Sequence, residues 1–370
     1  EGTAEAELRR QTFMNVPPKP PNEEKKTDLL WPVGDQLPQA PSVAGVDGHR
    51  LNQALAAAFA EPGPDNPRKT RAVIVVYDGK LVAERYAPGF SKTTPLLGWS
   101  MSKSVTNALV GVLVKKGKLD IHRPAPVPEW QKENDPRRRI TLDQLLRMSS
   151  GLEFNEAYAP FSDAVSMFYN SYDFAGYAIQ KPLEVEPDTK FNYSSGTANI
   201  IARIVRRAAE EEYRNYYTFI HRELFDKIGM HSMVFEPDPS GTFVGSSYVF
   251  ATARDWARFG LLYLQDGVWE GERLLPEGWV SYTTTPTRKA PLGEYGALFW
   301  LNAGSASNPA NRRRPSIPRD AYWANGFQEQ KVIIIPSRKL VLVRLGNSSP
   351  SDAWDDEKFV SEVLAALPKP

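Results

Sequence analysis

Apolar positions along the chain follow distinct patterns, and each predicts a different element. From Asp47 to Phe59, Leu51, Leu55 and Phe59 recur at helical spacing. The next apolar run, Ala72-Val73-Ile74-Val75-Val76-Tyr77, is continuous, and Asp78-Gly79 joins it to Lys80-Leu81-Val82-Ala83-Glu84-Arg85-Tyr86. Two β-rich runs across Asp-Gly predict an antiparallel hairpin. Lys331–Ile335 and Leu340–Leu345, on either side of Pro336-Ser337-Arg338-Lys339, predict a second hairpin. A helix from about Trp354 to Leu367 closes the chain.

The middle of the chain reads as helical. Thr141-Leu142-Asp143-Gln144 is a capping box, and Gly151 suits a C-terminal cap. Asn199–Ala209 and Glu211–Ile228 are periodic, and Thr252-Ala253-Arg254-Asp255 starts a helix carrying Trp256, Phe259 and Tyr263. Strands at both ends with helices between predict an α/β (α+β) fold. Its antiparallel sheet is drawn from distant segments (46–115 and 245–370), flanked by helices, with a mostly helical region (116–244) inserted. These parts form one unit. Residues 1–45, with Pro17, Pro18, Pro20 and Pro21, read as an extended arm. Its apolar residues Phe13, Leu29, Leu30 and Trp31 are expected to pack along the body.

Composition narrows the function. Forty-five Lys and Arg against 44 Asp and Glu leave a formal charge of +1, which makes no case for nucleic acid or an anionic membrane as partner. The runs Arg137–Arg139 and Arg312–Arg314 read as solvated loops. There is no cysteine, so disulfides, thiol nucleophiles and thiolate metal sites are excluded. His49, His122, His221 and His231 show no metal spacing and no Gly-x-Ser-x-Gly elbow occurs, so neither a metallohydrolase nor an ordinary Ser-His-Asp hydrolase is expected; no metal or other cofactor is expected either. No apolar run approaches the roughly 20 residues of a membrane helix. The chain starts at Glu1 and not Met, so a removed leader or a trimmed end is expected. A periplasmic or secreted setting fits this, with the cytoplasm left open.

Ser100-Met101-Ser102-Lys103 is the one Ser-x-x-Lys in the sequence. It follows Gly98-Trp99 and opens an apolar helix with Val105, Ala108, Leu109, Val112 and Leu113. Residues three apart lie on one side of a helix, so the Lys103 amine sits beside the Ser100 hydroxyl. A helix start also aims free backbone N–H groups at a reacting carbonyl. A lysine buried there loses solvation, its pKa falls, and it can share or take a proton. By itself the motif arises about once by chance in a chain of this length. Tyr193-Ser194-Ser195-Gly196 precedes a further helix. A tyrosine between a lysine and a serine works either as the anion, its pKa lowered by nearby positive charge, or as a proton relay to a leaving group. Taken singly it is equally an aromatic that caps a helix. Trp323-Ala324-Asn325-Gly326-Phe327 stands just before the Lys331–Ile335 strand, where glycine permits close backbone approach to a substrate and the strand offers a second oxyanion N–H.

This order resembles the class C β-lactamases, the penicillin-binding D,D-peptidases and their esterase and amidase relatives, with their Ser-x-x-Lys, Tyr-x-(Asn/Ser) and late glycine motifs. The resemblance extends to the scaffold through Ile140–Leu152 (ITLDQLLRMSSGL), Phe225–Met230 (FDKIGM) and Ala251–Gly260 (ATARDWARFG), and runs from about residue 47 to the C-terminus. The 6-aminohexanoate-dimer hydrolase and carboxylesterase branch is the most similar. The resemblance implies a β-lactamase/transpeptidase-like fold, Ser100 as acylated nucleophile, Lys103 as its proton partner and Tyr193 as general base and acid. It also implies an oxyanion hole from the N–H groups of Ser100 and Phe327. Ser195, Asn325 and Gly326 become substrate-site positions, and Tyr158 a contact to the leaving group.

The sequence departs from the lactamases where Lys-Thr-Gly would stand. Ala324-Asn325-Gly326 lacks the cation, and Phe327 and Glu329 put an aromatic and an acid at the expected pocket rim. A small neutral ester or linear amide is therefore the expected substrate. The alternatives are a true β-lactamase or D,D-peptidase, and a non-catalytic binding protein on the same fold.

Overall fold

Asp47 accepts the Arg50 N–H at 2.9 Å and so caps the first helix, α1 (Gly48–Phe59). The hairpin follows as β1 (Thr70–Tyr77) and β2 (Lys80–Tyr86). At its turn Asp78 and Gly79 both hold positive φ, 49° and 75°, as a twisted two-residue turn requires. Then come β3 (Leu96–Leu97) and α2 (Met101–Lys115). The middle carries α3 (Leu142–Leu146), α4 (Asp163–Asn170), α5 (Phe174–Ile179), α6 (Ser195–Glu210) and α7 (Tyr216–Ile220). After these lie β4 (Val234–Phe235), β5 (Val249–Ala251), α8 (Ala253–Leu264), β6 (Val268–Trp269), β7 (Glu272–Arg273) and α9 (Trp279–Thr283). The chain ends with β8 (Trp300–Leu301), β9 (Tyr322–Gly326), β10 (Gln330–Ile335), β11 (Leu340–Gly346) and α10 (Asp356–Ala366). This computed structural model describes residues 29–37, 43–213, 215–349 and 353–369.

The two predicted hairpins share one antiparallel sheet of order β2-β1-β11-β10-β9-β8. Its centre is the junction of the chain ends, with Val73 opposite Arg344 and Tyr77 opposite Leu340. Both faces are covered, which is why the central strands read as continuous apolar runs. Val73, Val75, Ile333, Ile335 and Leu342 pack with Leu51 and Leu55 of α1 and Phe359 and Val363 of α10. Ile74, Val76, Val332, Ile334 and Val341 face the other way, into the core that holds Trp256 and Phe259 of α8 and Val105 and Leu109 of α2. The helix carrying Ser-x-x-Lys thus lies between the sheet and the helical region.

Several expectations are corrected. Gly151 does not cap α3, which already ends at Leu146; Gly151 holds φ 77°, and a Cβ there would lie 2.1 Å from the Val185 carbonyl oxygen. The segment 211–228 is not one helix, because α7 passes into a π turn at His221–Phe225. The arginine runs are pinned and not merely solvated. Arg137 pairs with Asp135 and donates to the Ile179 and Lys181 carbonyls, and Arg314 pairs with Asp356. Of the arm, Trp31 is buried beneath the Arg258 guanidinium, which also donates to the Pro32 and Gly34 carbonyls. Leu29 and Leu30 remain exposed, and Phe13 and the prolines up to Pro21 lie outside the described residues.

Candidate active site

The turn before α2 is fixed from three sides. The Gly98 N–H donates to the Val249 carbonyl at 2.8 Å, and the Ser102 hydroxyl donates to the Trp99 carbonyl at 2.7 Å while accepting the Val249 N–H. A Cβ on Gly98 would lie 2.4 Å from the Trp256 indole, so only glycine fits there. Trp99 sits at φ 48°, an uncommon backbone state for a bulky residue. Ser100 follows as the residue that opens α2.

One helical turn on, Lys103 is 1% exposed. Its amine lies 3.2 Å from Ser100 Oγ, 3.1 Å from Ser195 Oγ and 3.1 Å from the Ser246 carbonyl. The carbonyl can only accept, whereas each hydroxyl can give or take a proton. The cage therefore accommodates lysine either as ammonium or as amine. Burial drives its pKa below the usual lysine range, opposed by Glu156 and Tyr158.

Tyr193 comes from the segment leading into α6, where Ser194 caps the helix by accepting the Thr197 N–H at 2.9 Å. Its phenol interacts with Ser100, and its ring face lies 4.7 Å from the Lys103 amine. The Trp300 and Tyr295 rings hold it, with centroids at 5.4 and 5.8 Å. Its pKa is not lowered as the sequence led us to expect: burial, with Glu156 adding to it, pushes it well above the usual tyrosine value. Burial thus favours the neutral phenol, the form that the proton-relay role requires.

Beneath Ser195 lies a residue that the sequence did not single out. Glu156 accepts the Ser195 N–H at 2.6 Å and the Ser195 hydroxyl at 2.5 Å. Burial raises its pKa, and Lys103 and Ser195 oppose that rise. In the sequence nothing separates Glu156 from Glu153, which is exposed in the same polar loop. The Ser246 contribution was equally hidden, because a backbone carbonyl leaves no side-chain signature.

The third motif divides between two faces of the sheet. The close approach at Gly326 is to protein and not to substrate, since a Cβ there would lie 2.1 Å from the Gly98 carbonyl oxygen. That contact sets the end of β9, and Phe327 after it, against the Ser100 turn. The Phe327 ring is 48% exposed and lies against Trp99 and Tyr158, with centroids at 5.8 and 5.6 Å. Tyr158 is 56% exposed as a residue, while its hydroxyl turns inward toward Ser195; burial of that hydroxyl pushes its pKa up to about 12. Asn325 is not brought to this cluster by its side chain, which accepts from Lys331 at 2.6 Å. Glu329 is not a free rim acid either, because it pairs with the same buried Lys331 at 3.0 Å. Lys331 in turn meets Asp356 at 3.0 Å. Among the described residues no group of acids and histidines is arranged to hold a metal.

The sequence model of the Beta-lactamase family matches residues 55–366. The chain belongs to the β-lactamase family. Among curated proteins it is 27% identical over 264 residues to a 6-aminohexanoate-dimer hydrolase of Paenarthrobacter ureafaciens, covering 65% of this chain and 66%, just under two thirds, of that protein. Two solved structures share the β-lactamase fold. A Bacillus anthracis protein assigned to the 6-aminohexanoate-dimer hydrolases superposes with a TM-score of 0.66 at 22% identity, covering 90% of each chain. A family VIII carboxylesterase superposes with a TM-score of 0.65 at 15% identity, covering 89% of this chain and 98% of that one.

Proposed function

We propose that this β-lactamase-family protein is a serine hydrolase that forms an acyl-enzyme at Ser100 and acts on small neutral esters or linear amides. The observation that carries this reading is the contact of Ser100 with both a buried amine and a buried neutral phenol. Ser100 Oγ attacks the carbonyl carbon and its proton passes to the Lys103 amine. The oxyanion is held by the N–H groups of Ser100 and Phe327. Tyr193 hands its proton to the departing oxygen or nitrogen and regains one from the Lys103 ammonium; water then attacks the acyl carbonyl, giving a proton to the Lys103 amine, which returns it to Ser100 Oγ as that bond breaks. A non-catalytic binder would have no need of a desolvated lysine against a serine hydroxyl.

For the substrate class, support comes from the mouth. Trp99, Tyr158 and Phe327 pack ring to ring there, and Ala324 is buried where the lactamases carry a cation. The names of the curated relative and of the carboxylesterase neighbour point the same way. One observation favours a second reading, a carboxylate-bearing substrate as in a β-lactamase or D,D-peptidase. The Arg313 guanidinium lies 4.9 Å over the Trp300 ring, which itself packs on Tyr193. The deciding experiment is the ratio of kcat/KM for a p-nitrophenyl ester to that for a chromogenic cephalosporin, with fluorophosphonate labelling of Ser100. A ratio well below one selects the second reading, and a wild-type protein that neither labels nor turns over either substrate defeats both.

A further inference from the structure

Glu156 has no part in the acyl-transfer scheme above, yet it is built into the same cluster. Both of its carboxylate oxygens are engaged by one residue, Ser195, and the Ser195 hydroxyl is also 3.1 Å from the Lys103 amine. Three groups that can carry a proton therefore stand in a row, Lys103 Nζ, Ser195 Oγ and Glu156 Oε1, with Ser100 at the lysine end. The Ser195 N–H belongs to the first residue of the 16-residue helix α6, so a fixed donor and the positive end of a helix face the carboxylate. The other titratable groups bearing on Glu156 are Tyr158, Tyr193 and Tyr295, all neutral phenols. Among the described residues Lys103 is thus its one cationic neighbour in the site.

We infer that Glu156 is the proton store of this site, exchanging one proton with Lys103 through the Ser195 hydroxyl. This rests on the acyl-enzyme reading above. In the exchange Lys103 gives a proton to Ser195 Oγ while Ser195 gives its own proton to Glu156 Oε1. Ser195 ends unchanged, Lys103 becomes a neutral amine and Glu156 a neutral acid. No charge is left isolated in the buried cluster, where an unpaired ion is strongly disfavoured. The amine then takes the Ser100 proton as the new C–O bond forms. Glu156 acts through Ser195 and touches neither substrate nor nucleophile, so it is a positioning residue with a titrating role.

The bland alternative is a structural peg that ties the Glu153–Tyr158 loop to α6, and the two separate cleanly. Glutamine keeps the shape and still accepts the Ser195 N–H, whereas aspartate keeps the charge at shorter reach. The rate of Ser100 labelling by a fluorophosphonate is measured against pH for wild type, Glu156→Gln and Glu156→Asp. With Gln, no carboxylate remains to hold the proton beside Lys103, so the acid limb moves to lower pH by about one unit, a tenfold gain on that limb. With Asp the limb stays near the wild-type position. A Gln variant whose curve coincides with wild type, or an Asp variant whose limb shifts as far as that of Gln, overturns the proposal. If the Gln variant does not fold, Ser195→Ala decides: labelling falls at least about tenfold with Ser100, Lys103 and Tyr193 intact, and an unchanged rate overturns the relay. Wild type that never labels instead defeats the acyl-enzyme reading.

Discussion

Gly98 and Gly326 meet so closely that a Cβ on Gly326 would lie 2.1 Å from the Gly98 carbonyl oxygen. This contact docks the late strand β9 onto the turn that presents Ser100. Gly326→Ala has nowhere to place its methyl, because the opposing atom is backbone. We expect a loss of about 1–3 kcal/mol from overpacking. We also expect a larger proportional loss in Ser100 labelling than in ester binding, since the Phe327 N–H would be displaced. Urea unfolding and labelling kinetics on the same sample check both, and a variant that labels at the wild-type rate refutes the docking role.

The Ser100, Lys103 and Tyr193 side chains form one contact set, so their losses should not add. Ser100→Ala is expected to abolish covalent labelling and lower ester turnover by at least about 10³-fold. Lys103→Ala and Tyr193→Phe should each cost a comparable factor, with the double variant little worse than either. Steady-state turnover of a p-nitrophenyl ester measures this. Wild-type rates in Ser100→Ala would remove the nucleophile assignment.

Lys103 dictates the sign of the pH dependence. Burial lowers its pKa from the ordinary 10.5, so the amine becomes a base well before a surface lysine does. Activity should therefore rise with pH along a limb that lies below 10.5, and not through it. For stability the unfolded chain holds this proton over the window between the lowered value and 10.5, so Lys103 makes the fold gain stability as pH rises through that window. A labelling rate that climbs only above pH 10 would mean that the lysine is solvated.

Lys331 is the hub of a buried charge cluster with Glu329 and Asp356, and Arg314 joins it through Asp356. Burial alone would raise the Asp356 carboxyl, but Lys331 and Arg314 outweigh it and hold the pKa below the ordinary 3.8. Lys331→Met should cost about 3–5 kcal/mol at pH 7, because it strands partners in the interior. The carboxylate's share of this stability is present above 3.8 and disappears as pH falls through the lowered value. Denaturant unfolding of wild type and variant should therefore differ by less at pH 3 than at pH 7.

Arg313 tests the substrate class. Arg313→Ala should leave turnover of a neutral ester within about twofold, as for an exposed residue away from the chemistry. A selective tenfold fall for carboxylate-bearing substrates would show that the guanidinium over Trp300 serves as their anchor.

The elements legible in the sequence were those that local chemistry dictates. Asp78-Gly79 turned as its residues require, Thr141 and Gln144 formed their reciprocal cap, and Ser100 and Lys103 met because three residues make a helical turn. What escaped was set by distant partners. Gly151 and Gly326 were read as a cap and a substrate approach, but each is explained by a carbonyl from elsewhere in the chain, Val185 and Gly98. Asn325, expected in the substrate site, and Glu329, expected at its rim, are both turned by the sheet to the buried Lys331. Glu156 escaped because a loop acid declares no partner in one dimension.

The sheet has a consequence for how the protein is made. Its central pairing joins β1 to β11, with Thr70 beside Gly346, so strand register at the middle of the fold waits for nearly the whole chain. Closing so long a loop is entropically slow, and until it closes β1 and β11 each present an open edge. During synthesis on the ribosome the Ser100 helix is complete long before β9 emerges to complete its surroundings. Nascent or C-terminally truncated chains should therefore be chemically inert at Ser100 and prone to edge-to-edge aggregation.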